Sequence, residues 1–130
     1  MSINAVDATQ TLYAAFGRGD VPAILAMLAP EFEWSFKGSS GLPYTRTCRT
    51  QAEVASWFGD VAAVDDIQAF EPREFIGSGN SVTVLGFERT VARPSGKVFE
   101  CDWVHVFSYE NGQLKRFWGM YDTEASARAR

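Results

Sequence analysis

The chain has 130 residues, of which 46% are hydrophobic and 14% aromatic, and its formal net charge is −4. This length predicts one domain over residues 1–130, with enough apolar side chains for a core and a lined cavity. The acidic balance argues against a nucleic-acid partner, because the phosphate backbone needs a basic surface. No apolar run reaches the roughly 18 residues of a membrane helix, so no membrane partner is expected.

The N-terminal half is predicted to be mainly helical. Apolar residues recur at helical spacing from Asp7 to Phe16, and Gly17-Arg18-Gly19 ends that helix. Asp20 is a suitable N-cap for a second helix, which Pro30 is expected to end. The segment from Glu31 to Phe36 then alternates polar and aromatic residues, which is typical of a strand with one aromatic face.

A loop over residues 37–49 is predicted from its content of glycine, serine, proline and threonine. Thr50 is expected to cap a third helix that runs to about Phe58, with Glu53 at the capping-box position. Gly59-Asp60 is expected to close this helix.

The C-terminal half is predicted to form a sheet. Turn residues separate four strand-like segments, which are Ile67–Ile76, Ser81–Arg93, Lys97–Tyr109 and Leu114–Tyr121. Asp122 is a suitable N-cap for a short last helix. The element order predicts an α+β fold, in which three N-terminal helices pack over the concave face of a cone-shaped, curved antiparallel sheet.

The strand over residues 97–109 divides into two faces by alternation. The bulkier face, which holds Cys101, Trp103 and His105, is assigned to the interior pocket. A three-residue turn at Pro94-Ser95-Gly96 adds three residues of the preceding strand to this face, which are Leu85, Phe87 and Arg89.

The last hairpin has two possible registers. A three-residue turn at Glu110-Asn111-Gly112 points Phe117 and Tyr121 inward, whereas a two-residue Asn-Gly turn points Trp118 and Met120 inward. In the first register the outer face is apolar and predicts a homodimer, through Val82, Val84, Val104, Val106, Trp118 and Met120.

Several segments resemble the nuclear transport factor 2-like superfamily, in its SnoaL-like and ketosteroid isomerase-like branch. They are Tyr13–Asp20, Pro30–Trp34, Trp103–Phe107, Asn111–Phe117 and Tyr121-Asp122. The resemblance covers nearly the whole chain, and it implies a cone-shaped α+β barrel, usually dimeric, with a deep apolar cavity. It implies little about activity, because this fold carries both enzymes and non-enzymes.

The resemblance also locates the positions where relatives carry catalytic groups. The carboxylate base of ketosteroid isomerases aligns with Phe36, and their protonated acid aligns with His105, which also matches the histidine of SnoaL-type cyclases. The arginine of limonene epoxide hydrolases aligns with Arg89, while their two aspartates align with Val91 and Gly119. Each known mechanism therefore keeps at most one member.

These observations predict a small, mostly apolar ligand, bound without a metal or an organic cofactor. The candidate ligand-binding residues are Tyr13, Trp34, Phe36, Trp57, Phe87, Cys101, Trp103, Phe117 and Tyr121. If the protein is an enzyme, we expect an isomerase, polyketide cyclase or hydratase that uses His105 with Arg89 or Tyr13.

Less specific interpretations stand beside these. His105 is equally well explained as a hydrogen-bonded interior residue, and Arg89 as half of an ion pair with a glutamate such as Glu88 or Glu100. A dimerising scaffold with a filled core is a further alternative. The N-terminal residues Met1–Asp7 lack the features of a signal peptide, so we expect a cytoplasmic protein.

Overall fold

A computed structural model describes residues 4–38 and 41–130. Residues 1–3 of the segment compared with a signal peptide, and residues 39–40 of the predicted loop, lie outside the described residues. The helices are α1 (Ala5–Gly17), α2 (Val21–Leu25), α3 (Gln51–Val64) and α4 (Thr123–Ala129). The strands are β1 (Leu28–Lys37), β2 (Thr47–Cys48), β3 (Asp65–Ser78), β4 (Ser81–Ala92), β5 (Val98–Glu110) and β6 (Gln113–Tyr121).

The strands form a six-stranded curved sheet in the order β2-β1-β6-β5-β4-β3. Strand β1 runs parallel to β6, and the other neighbouring pairs are antiparallel. The N-terminal helices pack their apolar sides on the inner face of the sheet, in one core cluster that contains Leu12, Val54, Trp34 and Phe117. The predicted α+β fold class is confirmed.

The sequence located the starts of α2 and α3 better than their ends, whereas α1 ends at Gly17 as predicted but begins at Ala5, two residues before the predicted start. Asp20 caps α2, and Thr50 with Glu53 forms the predicted capping box at the start of α3. Helix α3 continues through Gly59 to Val64, so its predicted end is wrong: the apolar contacts of the last turn outweigh the low helix propensity of glycine.

Pro30 lies inside β1 and does not end α2, which already stops at Leu25. The pairing of β1 with β6 is irregular between Leu28 and Glu33. A strand tolerates proline at such an irregularity, because no ladder hydrogen bond is needed from its nitrogen there.

The turn between β4 and β5 differs from the prediction by one residue. Ala92 pairs with Lys97 through a backbone hydrogen bond, so the loop is Arg93-Pro94-Ser95-Gly96, with Gly96 left-handed as expected. The extra loop residue shifts β4 by one position, and a one-residue shift exchanges the two faces of a strand. Val84 therefore lies opposite His105, and Leu85 lies on the outer face.

The last hairpin combines features of both predicted registers. Asn111 and Gly112 both have positive φ angles, 52° and 77°, and they form a two-residue turn between Glu110 and Gln113. Ser108 pairs with Arg116 and Tyr109 pairs with Leu114, so Lys115 is an extra, bulged residue. The bulge reverses the alternation, so Phe117 and Tyr121 point inward, as the three-residue register predicted.

The composition of the outer face changes accordingly. Val82 and Val84 are fully buried inside the fold, which corrects their predicted place on the outer face. Their places outside are taken by Leu85 and Phe87, which lie beside Val104, Val106, Trp118 and Met120. Among the described helices, none is long and apolar enough to cross a membrane.

Candidate functional site

A cavity of about 70 Å³ lies between the inner face of the sheet and helices α1 and α3. Most of the predicted ligand-binding residues line it, namely Tyr13, Trp34, Phe36, Trp57, Trp103, Phe117 and Tyr121, together with His105. An adjoining space of about 260 Å³ shares the side chains of Tyr13, Phe16, Ile67 and Phe70 with this cavity. Pockets for drug-sized ligands usually measure ~300–1,000 Å³, so a larger ligand needs this shared wall to move.

Three predicted site residues lie elsewhere. Arg89 is half-exposed on the outer face, and its guanidinium lies 3.4 Å from the carboxylate of Glu100. The interpretation of Arg89 as half of an ion pair therefore fits, and its predicted position in the pocket is wrong. Phe87 is also on the outer face, beneath the guanidinium of Arg73. Both errors follow from the one-residue shift of β4. Cys101 points inward, but it belongs to a separate small cluster beneath α4.

Tyr13 and His105 form a hydrogen-bonded pair in the cavity wall. The hydroxyl of Tyr13 lies 2.9 Å from Nδ1 of His105, and the imidazole stacks on the indole of Trp103 with ring centroids 4.0 Å apart. Burial lowers the pKa of His105 to about 3, so the ring is neutral near neutral pH. Among the described residues, no hydrogen bond reaches its other ring nitrogen, Nε2.

The direction of this hydrogen bond follows from the acidity of the two groups. A phenol is a stronger acid than a neutral imidazole N–H, and an imidazole nitrogen is the better acceptor, so Tyr13 donates to Nδ1. The proton of His105 is then on Nε2. Because Nε2 has no partner in the described part of the chain, it can donate to a group inside the cavity.

Gly119 faces His105 across the β5–β6 ladder and makes room for aromatic rings. A Cβ at this position would lie 2.7 Å from Cζ of Phe117, 3.0 Å from Cδ2 of Phe36 and 3.2 Å from Cδ2 of His105. An aspartate at this position would have to displace a ring, so the aromatic wall leaves no room for the carboxylate that the resemblance to limonene epoxide hydrolases and SnoaL-type cyclases implies there.

Polar side chains gather at the end of the cavity near α4. The hydroxyl of Tyr44 donates to Oδ2 of Asp65 at 2.6 Å and lies 2.5 Å from the hydroxyl of Tyr121. Arg130 approaches Oδ1 of Asp65 at 2.6 Å and also donates to Oγ of Ser126 at 2.9 Å. Burial raises the pKa of Tyr44 and, to about 12, that of Tyr121, so both phenols stay protonated near neutral pH.

Glu88 is a second carboxyl group of the cavity wall, and it is only 6% exposed. The hydroxyl of Thr90 donates to its Oε2 at 2.6 Å, and no other hydrogen bond to Glu88 occurs in the described ranges. Burial raises the pKa of Glu88 to about 7; Asp65 raises it further, whereas Thr90 and Arg130 oppose the change. Glu88 pairs with Cys101, four positions before His105, so the two polar groups start about 13 Å apart along the sheet.

Sequence analysis missed both carboxylates. Asp65 stands between the predicted end of α3 at Gly59-Asp60 and the predicted strand that starts at Ile67, and its inward direction depends on where β3 begins. Glu88 was assigned outward because the loop before β5 was predicted one residue too short. Alternation within β4 gave no signal that could have corrected this, because each face combines apolar residues with one charged residue, Glu88 on one face and Arg89 on the other.

The described ranges, residues 4–38 and 41–130, contain no group of three His, Cys, Asp or Glu residues arranged to hold a metal ion. The side chains lining the cavity are chiefly aromatic and aliphatic, and its polar atoms come mainly from hydroxyl, carboxyl and imidazole groups. The site is therefore suited to binding an organic molecule and to exchanging protons or hydrogen bonds with it.

Comparison with known proteins places this architecture in a family. One similar solved structure is an NTF2-like protein of Burkholderia thailandensis, which is 28% identical and has a TM-score of 0.89 over 98% of both chains. Another is an NTF2-like protein of unknown function from Burkholderia pseudomallei, which is 33% identical. Its TM-score is 0.87 over 99% of this chain and 98% of that one. A third, TerC crystallised with polyporic acid, is 26% identical with a TM-score of 0.82 over 96% of each chain.

No curated protein matches the sequence significantly. The family model described as the SnoaL-like domain matches residues 9–117, which include the inward-facing residues of β1, β4 and β5. This match spans most of the chain, from α1 to the middle of β6. The chain therefore belongs to the SnoaL-like domain family, with an NTF2-like fold.

Proposed function

We propose that the protein binds a small, mostly apolar molecule in the cone cavity. The observation that carries the proposal is an aromatic cavity in which His105 Nε2 and Glu88 Oε1 lack partners among the described residues. Ligand pockets commonly combine such apolar walls with a few converging polar atoms. The structure of the relative TerC, which was crystallised with polyporic acid, supports the binding of a small molecule at this fold.

An NMR titration tests the proposal, with benzyl alcohol and polyporic acid as probes. The chain carries its own control, because Trp34, Trp57 and Trp103 line the cavity whereas Trp118 lies on the outer face. We expect the indole N–H signals of the three cavity tryptophans to shift and saturate, while that of Trp118 stays in place.

A cavity-filling variant provides the second arm of this test. Val61 lines the cavity from α3, so Val61→Phe should weaken binding of benzyl alcohol, whereas Ala63→Phe on the exposed side of the same helix should not. Equal shifts at Trp118, or equal affinity of the Val61→Phe variant, would contradict binding in the cavity.

A second candidate function is acid–base catalysis on the bound molecule, of the isomerase, cyclase or hydratase kind. Glu88 favours it, because a carboxyl group with a pKa of about 7 can both accept and return a proton near neutral pH. His105 stays neutral and would contribute a hydrogen bond only. Exchange of the α-hydrogens of 2-tetralone for deuterium tests this function: catalysis predicts faster exchange with the wild type than with the Glu88→Gln variant.

We also propose a homodimer through the outer face of the sheet. Leu85, Phe87, Val104, Val106 and Met120 form an apolar surface there, and Met120 is 37% exposed. Such a surface is more stable when a second copy covers it. Sedimentation should give a dimer for the wild type at micromolar concentration and a monomer for Val104→Asp. The control Gln10→Asp, at an exposed position on α1, should remain a dimer. A monomeric wild type would refute the proposed homodimer.

A further inference from the structure

Glu88 is a buried carboxyl group that no cation of the described chain neutralises directly. Its only hydrogen-bond donor there is the hydroxyl of Thr90, which is neutral and occupies Oε2. None of the ion pairs formed by the described residues includes Glu88. Buried carboxylates are normally paired with a cation or satisfied by several donors, so this residue departs from the usual pattern.

The groups around Glu88 do not supply the missing positive charge. Asp65, at the start of β3, adds negative charge, and Arg130 after α4 is held by Asp65 and Ser126. The thiol of Cys101 on β5 lies opposite Glu88, and the phenol of Tyr121 on β6 lies near Glu88. Burial raises the pKa of Cys101 and of Tyr121 to about 12, so both groups are neutral. When Glu88 ionises, this end of the cavity carries an unbalanced negative charge.

The aromatic walls next to Glu88 favour the same kind of partner. Phe70 of β3 lies beside Glu88 in the ladder, and its ring stacks on Trp103 with centroids 4.7 Å apart. The faces of such rings are electron-rich, so they attract a desolvated cation that lies near them. An acidic group at the edge of an aromatic enclosure is the arrangement that retains alkylammonium groups.

We propose that the ligand of this cavity carries a basic nitrogen, whose ammonium form pairs with Glu88 while its apolar body packs against the aromatic walls. The inference rests on the proposed binding function and names the chemical class of the ligand: an apolar, aromatic-sized primary or secondary amine.

An amine gains more free energy in this site than an alcohol of the same shape. The free energy needed to bury the Glu88 carboxylate is already spent when the protein folds, so it does not oppose binding. At about pH 8 this carboxylate is mostly ionised, and an ammonium group gives it a charge-assisted hydrogen bond in a low-dielectric site. A hydroxyl group gives only a neutral donor, and an added carboxylate would be repelled.

Three probes with one benzene ring and one polar group test the inference. Benzylamine, benzyl alcohol and benzoate differ in charge but little in shape, and the indole signals of Trp34 and Trp103 report their dissociation constants. Near pH 8 we expect benzylamine to bind about tenfold or more tightly than benzyl alcohol, and benzoate to bind more weakly than either.

The variant Glu88→Gln separates charge from shape. It should remove the advantage of benzylamine over benzyl alcohol, because glutamine keeps the size of the side chain but carries no charge. Glu110→Gln, the same change at an exposed position on β5, is the matched control and should behave as the wild type. At about pH 5.5 the wild-type preference should shrink, because Glu88 is then protonated.

The outcomes distinguish this inference from the proposed function. Binding of benzyl alcohol with an equal or lower affinity for benzylamine would overturn the inference and leave the cavity-binding function intact. A preference for benzylamine that persists in Glu88→Gln would also overturn it. If none of the three probes shifts the cavity indoles, both the proposed function and the inference fail.

Discussion

The substitution Glu88→Gln should make the stability of the protein less dependent on pH. In the folded protein the pKa of this carboxyl group is raised from its ordinary value of 4.5 to about 7, chiefly by burial. At about 1.4 kcal/mol for each pH unit, ionised Glu88 lowers the free energy of unfolding by about 3 kcal/mol. Glutamine has nearly the same shape and accepts the same hydrogen bond from Thr90, but it does not ionise.

The sign of the effect follows from proton binding. Between about pH 4.5 and pH 7 the folded protein keeps a proton on Glu88 that the unfolded chain has released. Stability from this group is therefore fully present below pH 4.5 and is lost as the pH rises through 7. His105 acts in the opposite direction: its folded pKa of about 3 means that stability is lost as the pH falls from about 6.5 towards 3.

Urea unfolding of the wild type and Glu88→Gln at about pH 5 and pH 8 measures this effect. Contributions of His105 and other groups are common to both proteins and cancel in the difference. We expect Glu88→Gln to be more stable by about 1 kcal/mol near pH 5 and about 3 kcal/mol near pH 8. Glu110→Gln should show no such change with pH. An equal difference at both pH values would mean that Glu88 ionises normally, and would refute the reasoning.

Three further substitutions test packing and polar contacts. Gly86→Ala would place a methyl group 2.2 Å from the buried indole of Trp103. We therefore expect the free energy of unfolding, measured with heat or urea, to fall by about 2 kcal/mol or more. The control Gly59→Ala, in the open part of α3, should be neutral or stabilising. Tyr13→Phe leaves Nδ1 of the cavity histidine without a donor, and should cost about 1–2 kcal/mol and move the imidazole ¹⁵N signals; unchanged signals would contradict the hydrogen bond. Arg130→Met leaves the buried carboxylate of Asp65 unpaired and should cost about 3 kcal/mol, part of which the double variant with Asp65→Asn should restore.

The sequence predicted the architecture well because its strongest signals are local. Alternation in β1 and β5, the capping box at Thr50 and the cap at Asp20 each depend on a few neighbouring residues. The inward positions of Trp34, Phe36 and Trp103 followed from the same alternation and agree with the structure.

The polar part of the site was predicted less well, because it depends on long-range pairing. Glu88 and Arg89 are neighbours, and a single additional loop residue decides which of them faces the cavity and which faces outward. The contact between Arg130 and Asp65 joins the last residue to the start of β3, and no local pattern contains that information. Alternation gives the two faces of a strand but not which face is inside, unless the turns are also correct.

The bulged residue Lys115 has a consequence for how this fold can diversify. Deleting it would leave the hairpin turn intact and make the ladder regular, with Phe117 still opposite Phe107 and Tyr121 still opposite Trp103. The gain or loss of one residue at this position is therefore absorbed by the bulge and does not reach the cavity. The hairpin can change in length by one residue here while the side chains that face the ligand keep their places.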